Sequence, residues 1–302
     1  MTMRAVAIRG YGGPEVLEFG TWPRPEPKPG EMLVEIRAAA VNPADGKWRA
    51  GMFAGYAPVS FPHILGYDVA GVTVGGEGLA PGVRVAAMLD PFTKGGYAEY
   101  VAVAADRLVA IPEGLSFEAA AAVPTAGLTG AQLVERAVDA QPGQRILLTG
   151  AVGAVGRFAL DAALRRGVHV VAAVRGARKG EALALGAAQV IALGEEDWCG
   201  APFDHVVDTV GGDAVAALCR HLRPGGRIAT AATTPIDPQG LPAIPEFYAV
   251  AADAGRLGQL LDAVRNGEIA VPIARVMPLE DAAEAQRLTD AGGAGGKIIL
   301  IP

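Results

Sequence analysis

Between Arg145 and Lys179 the chain reads RILLTGAVGAVGRFALDAALRRGVHVVAAVRGARK, a spacing suited to holding a diphosphate. The apolar run Ile146 to Thr149 stops at Gly150, and Ala151, Val152, Gly153, Ala154, Val155 and Gly156 follow before an amphipathic helix opens. Gly153 has no side chain, so the backbone can approach a pyrophosphate. Gly156 lets the helix lie close on the strand, and the N–H groups near Val155 and Gly156 point at the anion. Ala151 fills the first glycine slot of this pattern, and a glycine-rich turn between strand and helix is also plain geometry. The next strand decides between these. Val168 to Val174 ends at Arg175, where a site for NAD places an Asp or Glu for the ribose hydroxyls. Instead Arg175, Arg178 and Lys179 cluster there, and Arg is suited to bidentate contact with a phosphate. NADP(H) is therefore expected in preference to NAD(H), the competing reading being solvated loop charges.

Such a turn needs a parallel sheet behind it. From Leu115 the period becomes helical through SFEAAAAVPTAGLTGAQLVERAV, with Ser116 as N-cap. Then RILLT, VHVVAAV, AQVIAL, DHVVDTV, GRIATAA and EFYAVAA alternate with helical segments, which predicts a doubly wound parallel sheet with its ligand crevice at the carboxyl ends of the strands. Ahead of them RAVAIRG, VLEFG, MLVEIRAAAVN, DVAGVTVGG, VRVAAML and GGYAEYVAV are short strands punctuated by Gly and Pro, the pattern of a barrel-like antiparallel domain. The apolar KIILI cannot be left unpaired, so it is expected to return to that first sheet. The expected domains are 1–122 with 268–302, and 123–267.

Composition narrows the function. The 302 residues are 51% hydrophobic and 19% charged, ample for a sizeable core. A net charge of −6 argues against a general nucleic-acid binder while allowing one local anion site. No basic leader precedes an apolar segment, and no apolar run nears the ~20 residues that a bilayer requires, so a cytoplasmic protein with no membrane partner is expected. Cys199 and Cys219 are the only cysteines, too few for a disulfide framework or a cysteine-rich zinc lobe.

The colinear order of AAAVNPADGKWRAG (38–51), FPHILGYDVAGVT (61–73), GGYAEYV (95–101), PTAGLTGA (124–131), GAVGAVG (150–156), FDHVVDTVGG (203–212), LRPGGRI (222–228) and GKIIL (296–300) resembles the medium-chain dehydrogenase/reductase superfamily, specifically its zinc-independent quinone oxidoreductase branch. The resemblance covers essentially the whole chain. It implies an α/β two-domain protein, a GroES-like β-barrel domain plus a Rossmann domain. It also implies NADPH as hydride donor, a quinone or α,β-unsaturated carbonyl acceptor, and a homodimer or homotetramer. Zinc-dependent members of the superfamily bind metal through a cysteine, the histidine of a G-H-E motif and a further cysteine. In this sequence the first position is Asn42, the motif is Gly66-Tyr67-Asp68, and no cysteine precedes Cys199, so no metal is expected. Alcohol oxidation is poorly served without a Lewis acid, whereas a conjugated acceptor needs only hydride, hydrogen-bond donors and a solvent proton.

The resemblance also implies site residues. Asn42 and Asp45 of the Asn42-Pro43-Ala44-Asp45 segment line the nicotinamide and the acceptor, although N-P-x-D is equally a turn whose side chains cap backbone groups. Lys47 stands where some relatives carry a tyrosine, either as a donor to a developing enolate or as a surface lysine, and Tyr56 offers an acceptor-side hydroxyl. Thr129, Val210 and Gly211 are expected against the cofactor, Lys297 at a phosphate, and Asp208 as a strand-end residue. The tyrosine that relatives often carry after the third strand of this domain is Leu193 here, which leaves Arg175 and Arg178 to compensate. Two other functions share the same motifs: an enoyl-thioester reductase, and a non-catalytic, crystallin-like NADPH-binding protein.

Overall fold

Short alternating segments rich in β-branched residues and alanine form two antiparallel sheets early in the chain. The computed structural model describes residues 1–55, 57–90, 92 and 95–302, so Tyr56 lies outside the described residues. β1 (Thr2–Ile8) and β2 (Glu18–Pro23) pair antiparallel. β3 (Glu31–Val41) leads into α1 (Pro43–Arg49), and β4 (His63–Ile64) closes the small sheet, in the order β2-β1-β4. β5 (Asp68–Gly76), β6 (Arg84–Met88), β7 (Tyr100–Ala104) and β8 (Val109–Ala110) join β3 in the larger one. α2 (Phe117–Ala121) begins where expected, the Ser116 hydroxyl accepting from the Ala119 N–H at 3.1 Å. α3 (Pro124–Gln132) follows and runs into a single π turn, Leu133–Ala137.

β9 (Arg145–Thr149), α4 (Ala154–Arg165), β10 (His169–Val174), α5 (Lys179–Ala184), β11 (Gln189–Ala192), β12 (Phe203–Asp208), α6 (Asp213–Cys219), β13 (Leu222–Thr230) and β14 (Pro245–Phe247) then build one six-stranded parallel sheet, in the order β11-β10-β9-β12-β13-β14. Its inner strands are apolar along their length because helices cover both faces; Ile146, Leu147 and Leu148 are completely buried. The sixth strand is shorter than EFYAVAA suggests. Gln132 captures the chain beyond it, its amide nitrogen donating to Ala251 O at 2.7 Å and its oxygen accepting from the Tyr248 hydroxyl at 3.2 Å and the Ala251 N–H at 3.0 Å.

α7 (Ala254–Arg265), β15 (Ile273–Pro278), α8 (Ala282–Ala291) and β16 (Lys297–Ile301) complete the chain. β16 lies between β15 and β3, antiparallel to β3, so KIILI does return to the first sheet. Ile298, Ile299 and Leu300 are buried to 2% or less, each burial stabilising by about 1.5–3 kcal/mol. The two compact units are 1–125 with 252–302, and 126–251. α7 packs near β8, Gly258 facing Val109, so the first unit resumes at Ala252 where the sequence reading resumes it at 268. Among the described residues no helix is long and apolar enough to cross a membrane.

Candidate functional site

In the second unit the glycine turn behaves as its spacing suggests. A Cβ on Gly156 would stand 2.1 Å from Gly150 O and 2.7 Å from Ala151 Cα, so α4 can seat on the turn only with glycine at that position. The N-cap is Gly153 and no side chain caps the first turn. The N–H groups of Ala154, Val155 and Gly156 therefore have no intrahelical acceptor and offer an anion the positive end of the helix. Ala151 is buried beneath the turn, with Val152 half-buried above it. α3 crosses this helix end at Gly130, where a Cβ would meet Val155 O at 2.4 Å, one residue beyond the buried Thr129.

Asp208, which the sequence marks only as a strand end, ties three strands together. Its Oδ1 accepts from the Thr149 hydroxyl at 2.5 Å and from the Val210 and Gly211 N–H groups at 3.0 Å each; its Oδ2 accepts from the Thr230 hydroxyl at 2.5 Å. The carboxyl ends of β9, β12 and β13 are thus clamped, and the Val210-Gly211 loop is held beside them. Gly211 has φ +76°, and a Cβ on it would meet Thr234 O at 2.2 Å. Val210 remains 40% exposed. The signal available in the sequence is a threonine or aspartate ending each of RILLT, HVVD and RIAT.

At the far end of this cradle the basic loop is less free than its composition suggests. Arg178 pairs with Glu181, which also takes Arg157, and the Arg178 hydrogen bond, helped by the charges of both guanidinium groups, holds the Glu181 carboxyl below the usual carboxylate range. Lys179 Nζ sits 2.7 and 2.9 Å from the two oxygens of Glu196. Arg175 is exposed and makes no ion pair or side-chain hydrogen bond with a described residue.

In the first unit the N-P-A-D segment opens α1. Asp45 Oδ2 accepts from the Asn42 N–H at 2.8 Å and from the Tyr97 hydroxyl at 2.9 Å. The Asn42 side chain goes elsewhere: its Nδ2 donates to Asp68 Oδ2 at 2.9 Å, and its Oδ1 accepts from Lys297 Nζ at 2.5 Å. Asp68 Oδ1 is held by the Thr125 N–H and hydroxyl at 2.9 and 2.6 Å, and Lys297 Nζ lies 3.8 Å from Asp68 Oδ2. Asn42, Asp45, Asp68, Tyr97 and Lys297 are buried, Asp45 and Asp68 completely, and Thr125 is half-buried. Burial pushes the Asp45 carboxyl up to about 7, raises that of Asp68 and lowers the Lys297 ammonium, because each charged form loses water. Asp45 Oδ1 has no hydrogen-bond partner among the described residues. Asp45 also lines a cavity of about 10 Å³ with Trp48, His63, Tyr67 and Asp90.

Lys297, expected at a phosphate, is thus engaged with Asn42 and Asp68 in the first unit. Lys47 is half-buried, and burial lowers its ammonium. Tyr67, in the histidine slot, accepts from the Trp48 indole N–H. Phe53 and Phe92 meet the Trp48 ring edge-on at 5.1 and 5.5 Å between centroids. Among the described residues no group of three or more His, Cys, Asp or Glu could hold a metal ion.

A doubly wound parallel sheet with an uncapped helix over its first strand, in a chain with a second, mostly antiparallel unit, is the architecture of a two-domain dinucleotide-binding protein. Residues 28–113 match the alcohol dehydrogenase GroES-like domain, and residues 185–300 match the zinc-binding dehydrogenase family. The chain is 30% identical to the chloroplastic quinone-oxidoreductase QR1 of Triphysaria versicolor, over 99% of this chain and 98% of that one. It is 33% identical to 2-methylene-furan-3-one reductase of Solanum lycopersicum, over 99% of this chain and 79% of that one. A mycobacterial protein solved in complex with NADPH superposes with a TM-score of 0.85 at 27% identity, covering 99% of this chain and 100% of that one. This chain belongs to the medium-chain dehydrogenase/reductase superfamily, among its quinone oxidoreductase-like members.

Proposed function

We propose that this chain is a metal-free reductase that uses NADPH to deliver hydride to a quinone or an α,β-unsaturated carbonyl compound. The observation that carries the reading is the donor set at the metal slots of the superfamily. Asn42 Oδ1 is already taken by the Lys297 ammonium, and the phenol of Tyr67 stands in the histidine position. A metal ion would have to displace a cation to gain an amide oxygen and a phenol, neither a usual zinc ligand.

The reduced nicotinamide, when bound, supplies the hydride. The first turn of α4 binds the diphosphate, with Gly150, Ala151, Val152, Gly153, Ala154, Val155 and Gly156 shaping the cradle. Arg175, Arg178 and Lys179 attract the 2′-phosphate, and the mycobacterial NADPH complex supports that choice of nucleotide. Asp208 positions Val210 and Gly211 against the nicotinamide ribose, and Thr129 contributes a hydroxyl from α3. On the acceptor side, the buried Asn42-Lys297-Asp68 cluster and Asp45 fix the start of α1. Lys47 projects from that helix as a donor to the oxygen that gains charge. The aromatic edge formed by Trp48, Phe53 and Phe92 suits a planar conjugated acceptor. A homodimer or homotetramer in the cytoplasm belongs to the same reading on family grounds.

The test is a turnover screen of quinones, enones and enoyl thioesters with each nucleotide, run on protein dialysed against chelator and analysed for metal. Turnover of a conjugated acceptor by zinc-free protein is expected. One zinc per chain with activity lost on chelation, or oxidation of alcohols with no conjugated acceptor reduced, would sink the reading. The likeness to a furanone reductase favours enones as a second acceptor class, and the ratio of kcat/KM between the two classes decides it.

A further inference from the structure

The expectation of NADP(H) rests on an acid missing from the end of β10 and on three cations in its place. The structure supplies an acid from the neighbouring strand. Glu195 follows β11, which lies beside β10 in the sheet, and its carboxylate comes so close to Gly176 that a Cβ there would stand 2.9 Å from Glu195 Oε2. Gly176 is the second residue after β10, where a dinucleotide fold meets the hydroxyls of the adenosine ribose. Glu195 is exposed and, like Arg175, makes no ion pair or side-chain hydrogen bond with a described residue.

The cations around it are largely committed. Glu181 holds Arg178 and Arg157, and Glu196 holds Lys179. Counting Arg157, four cations thus stand among the three carboxylates of Glu181, Glu195 and Glu196, and among the described residues Arg175 is the one of these four with no such partner. A phosphate dianion entering here meets one uncommitted guanidinium and one uncommitted carboxylate. A ribose with both hydroxyls intact meets a carboxylate that can accept from them.

Resting on the proposed dinucleotide-dependent reading, we propose that this chain uses NADH as well as NADPH. Glu195 accepts from the adenosine ribose hydroxyls of NADH, and Arg175 pairs with the 2′-phosphate of NADPH. The two side chains pull in opposite directions, so removing Glu195 has opposite effects on the two nucleotides. It takes a hydrogen-bond acceptor from NADH, and it takes a like charge away from the phosphate of NADPH.

The test titrates NADH and NADPH into the acceptor-free, full-length protein, following nucleotide fluorescence. ADP-ribose and its 2′-phosphate serve as probes that report the adenosine end alone. The wild type should bind the two nucleotides within about tenfold of each other, about the size of one charge-assisted hydrogen bond. Glu195→Gln should weaken NADH and ADP-ribose roughly fivefold to tenfold and leave NADPH unchanged or tighter. Arg175→Ala should weaken NADPH and the 2′-phosphate probe about tenfold, with NADH held within about twofold. A wild-type preference for NADPH above about a thousandfold, or a Glu195→Gln variant that shifts both nucleotides in the same direction, overturns the proposal while leaving the reductase reading intact. Failure of the wild type to bind either nucleotide refutes that reading itself, and this proposal with it.

Discussion

Replacing Asp45 with Asn isolates the electrostatics of the cluster at the start of α1. The carboxyl is completely buried, and the loss of water raises it from 3.8 to about 7. In the unfolded chain it ionises near ~3.9. Between those two values the native protein keeps a proton that the unfolded chain has released. The stability this contributes is therefore fully present below about pH 4 and is lost as pH rises through 7, by about 1.4 kcal/mol per pH unit and about 4 kcal/mol in all. An amide is neutral throughout, and the geometry accommodates it: the Asn oxygen can keep the Asn42 N–H and the Tyr97 hydroxyl, while its NH2 takes the place of Oδ1, which has no partner among the described residues, in a residue that lines the small cavity. Asp45→Asn should match the wild type near pH 4 and exceed it by a few kcal/mol near pH 8, with unchanged dependence on urea concentration. Urea unfolding followed by tryptophan fluorescence in a Trp198→Phe background reads the first unit, which contains Trp22 and Trp48. Parallel stability curves for the two proteins from pH 4 to pH 8 would refute the reasoning.

Three further outcomes are expected. Arg175→Ala combined with Arg178→Ala should raise the Kd for NADPH at least about tenfold and that for NADH less than about threefold, measured by nucleotide fluorescence; equal losses would remove the 2′-phosphate assignment. Asp208→Ala strips the acceptor from two hydroxyls and two N–H groups, and should destabilise the second unit by about 3–5 kcal/mol in urea unfolding; a change below about 1 kcal/mol would show that the clamp is dispensable. Lys297→Met leaves Asp68 buried beside Asn42 without its ammonium, and should cost about 3–5 kcal/mol. Lys297→Arg should recover part of that loss, and a fully stable Met variant would contradict the buried pairing.

The parallel sheet was readable because its strands carry continuous apolar runs bounded by Gly and Pro, and the return of KIILI was readable because such a strand must pair. The sixth strand is shorter than its sequence suggests because nothing local in EFYAVAA shows that the Gln132 side chain will claim its backbone partners. The glycine turn was likewise legible, since helix and strand must touch where Gly156 lies. The buried cluster was not, because Asn42, Asp68, Tyr97, Thr125 and Lys297 lie far apart in the chain: the register of β3 with β5 and β16 brings Asn42, Asp68 and Lys297 together, and Tyr97 and Thr125 arrive from outside those strands. The basic loop was misleading for a related reason. Glu181 lies three residues after Arg178, a spacing visible in the sequence, but Glu196 reaches Lys179 only because β10 and β11 are neighbours.

The place of β16 bears on how this protein is made. Ala39, Ala40 and Val41 find their ladder partners in residues 298–300, so during translation the edge of β3 waits exposed until that distant segment has been made. The second unit is one uninterrupted segment and is fully synthesised well before then. Once residue 251 has cleared the ribosome, the nascent chain would therefore carry a nucleotide-binding sheet ready to close and an amino-terminal sheet still open to mispairing with a neighbouring nascent chain.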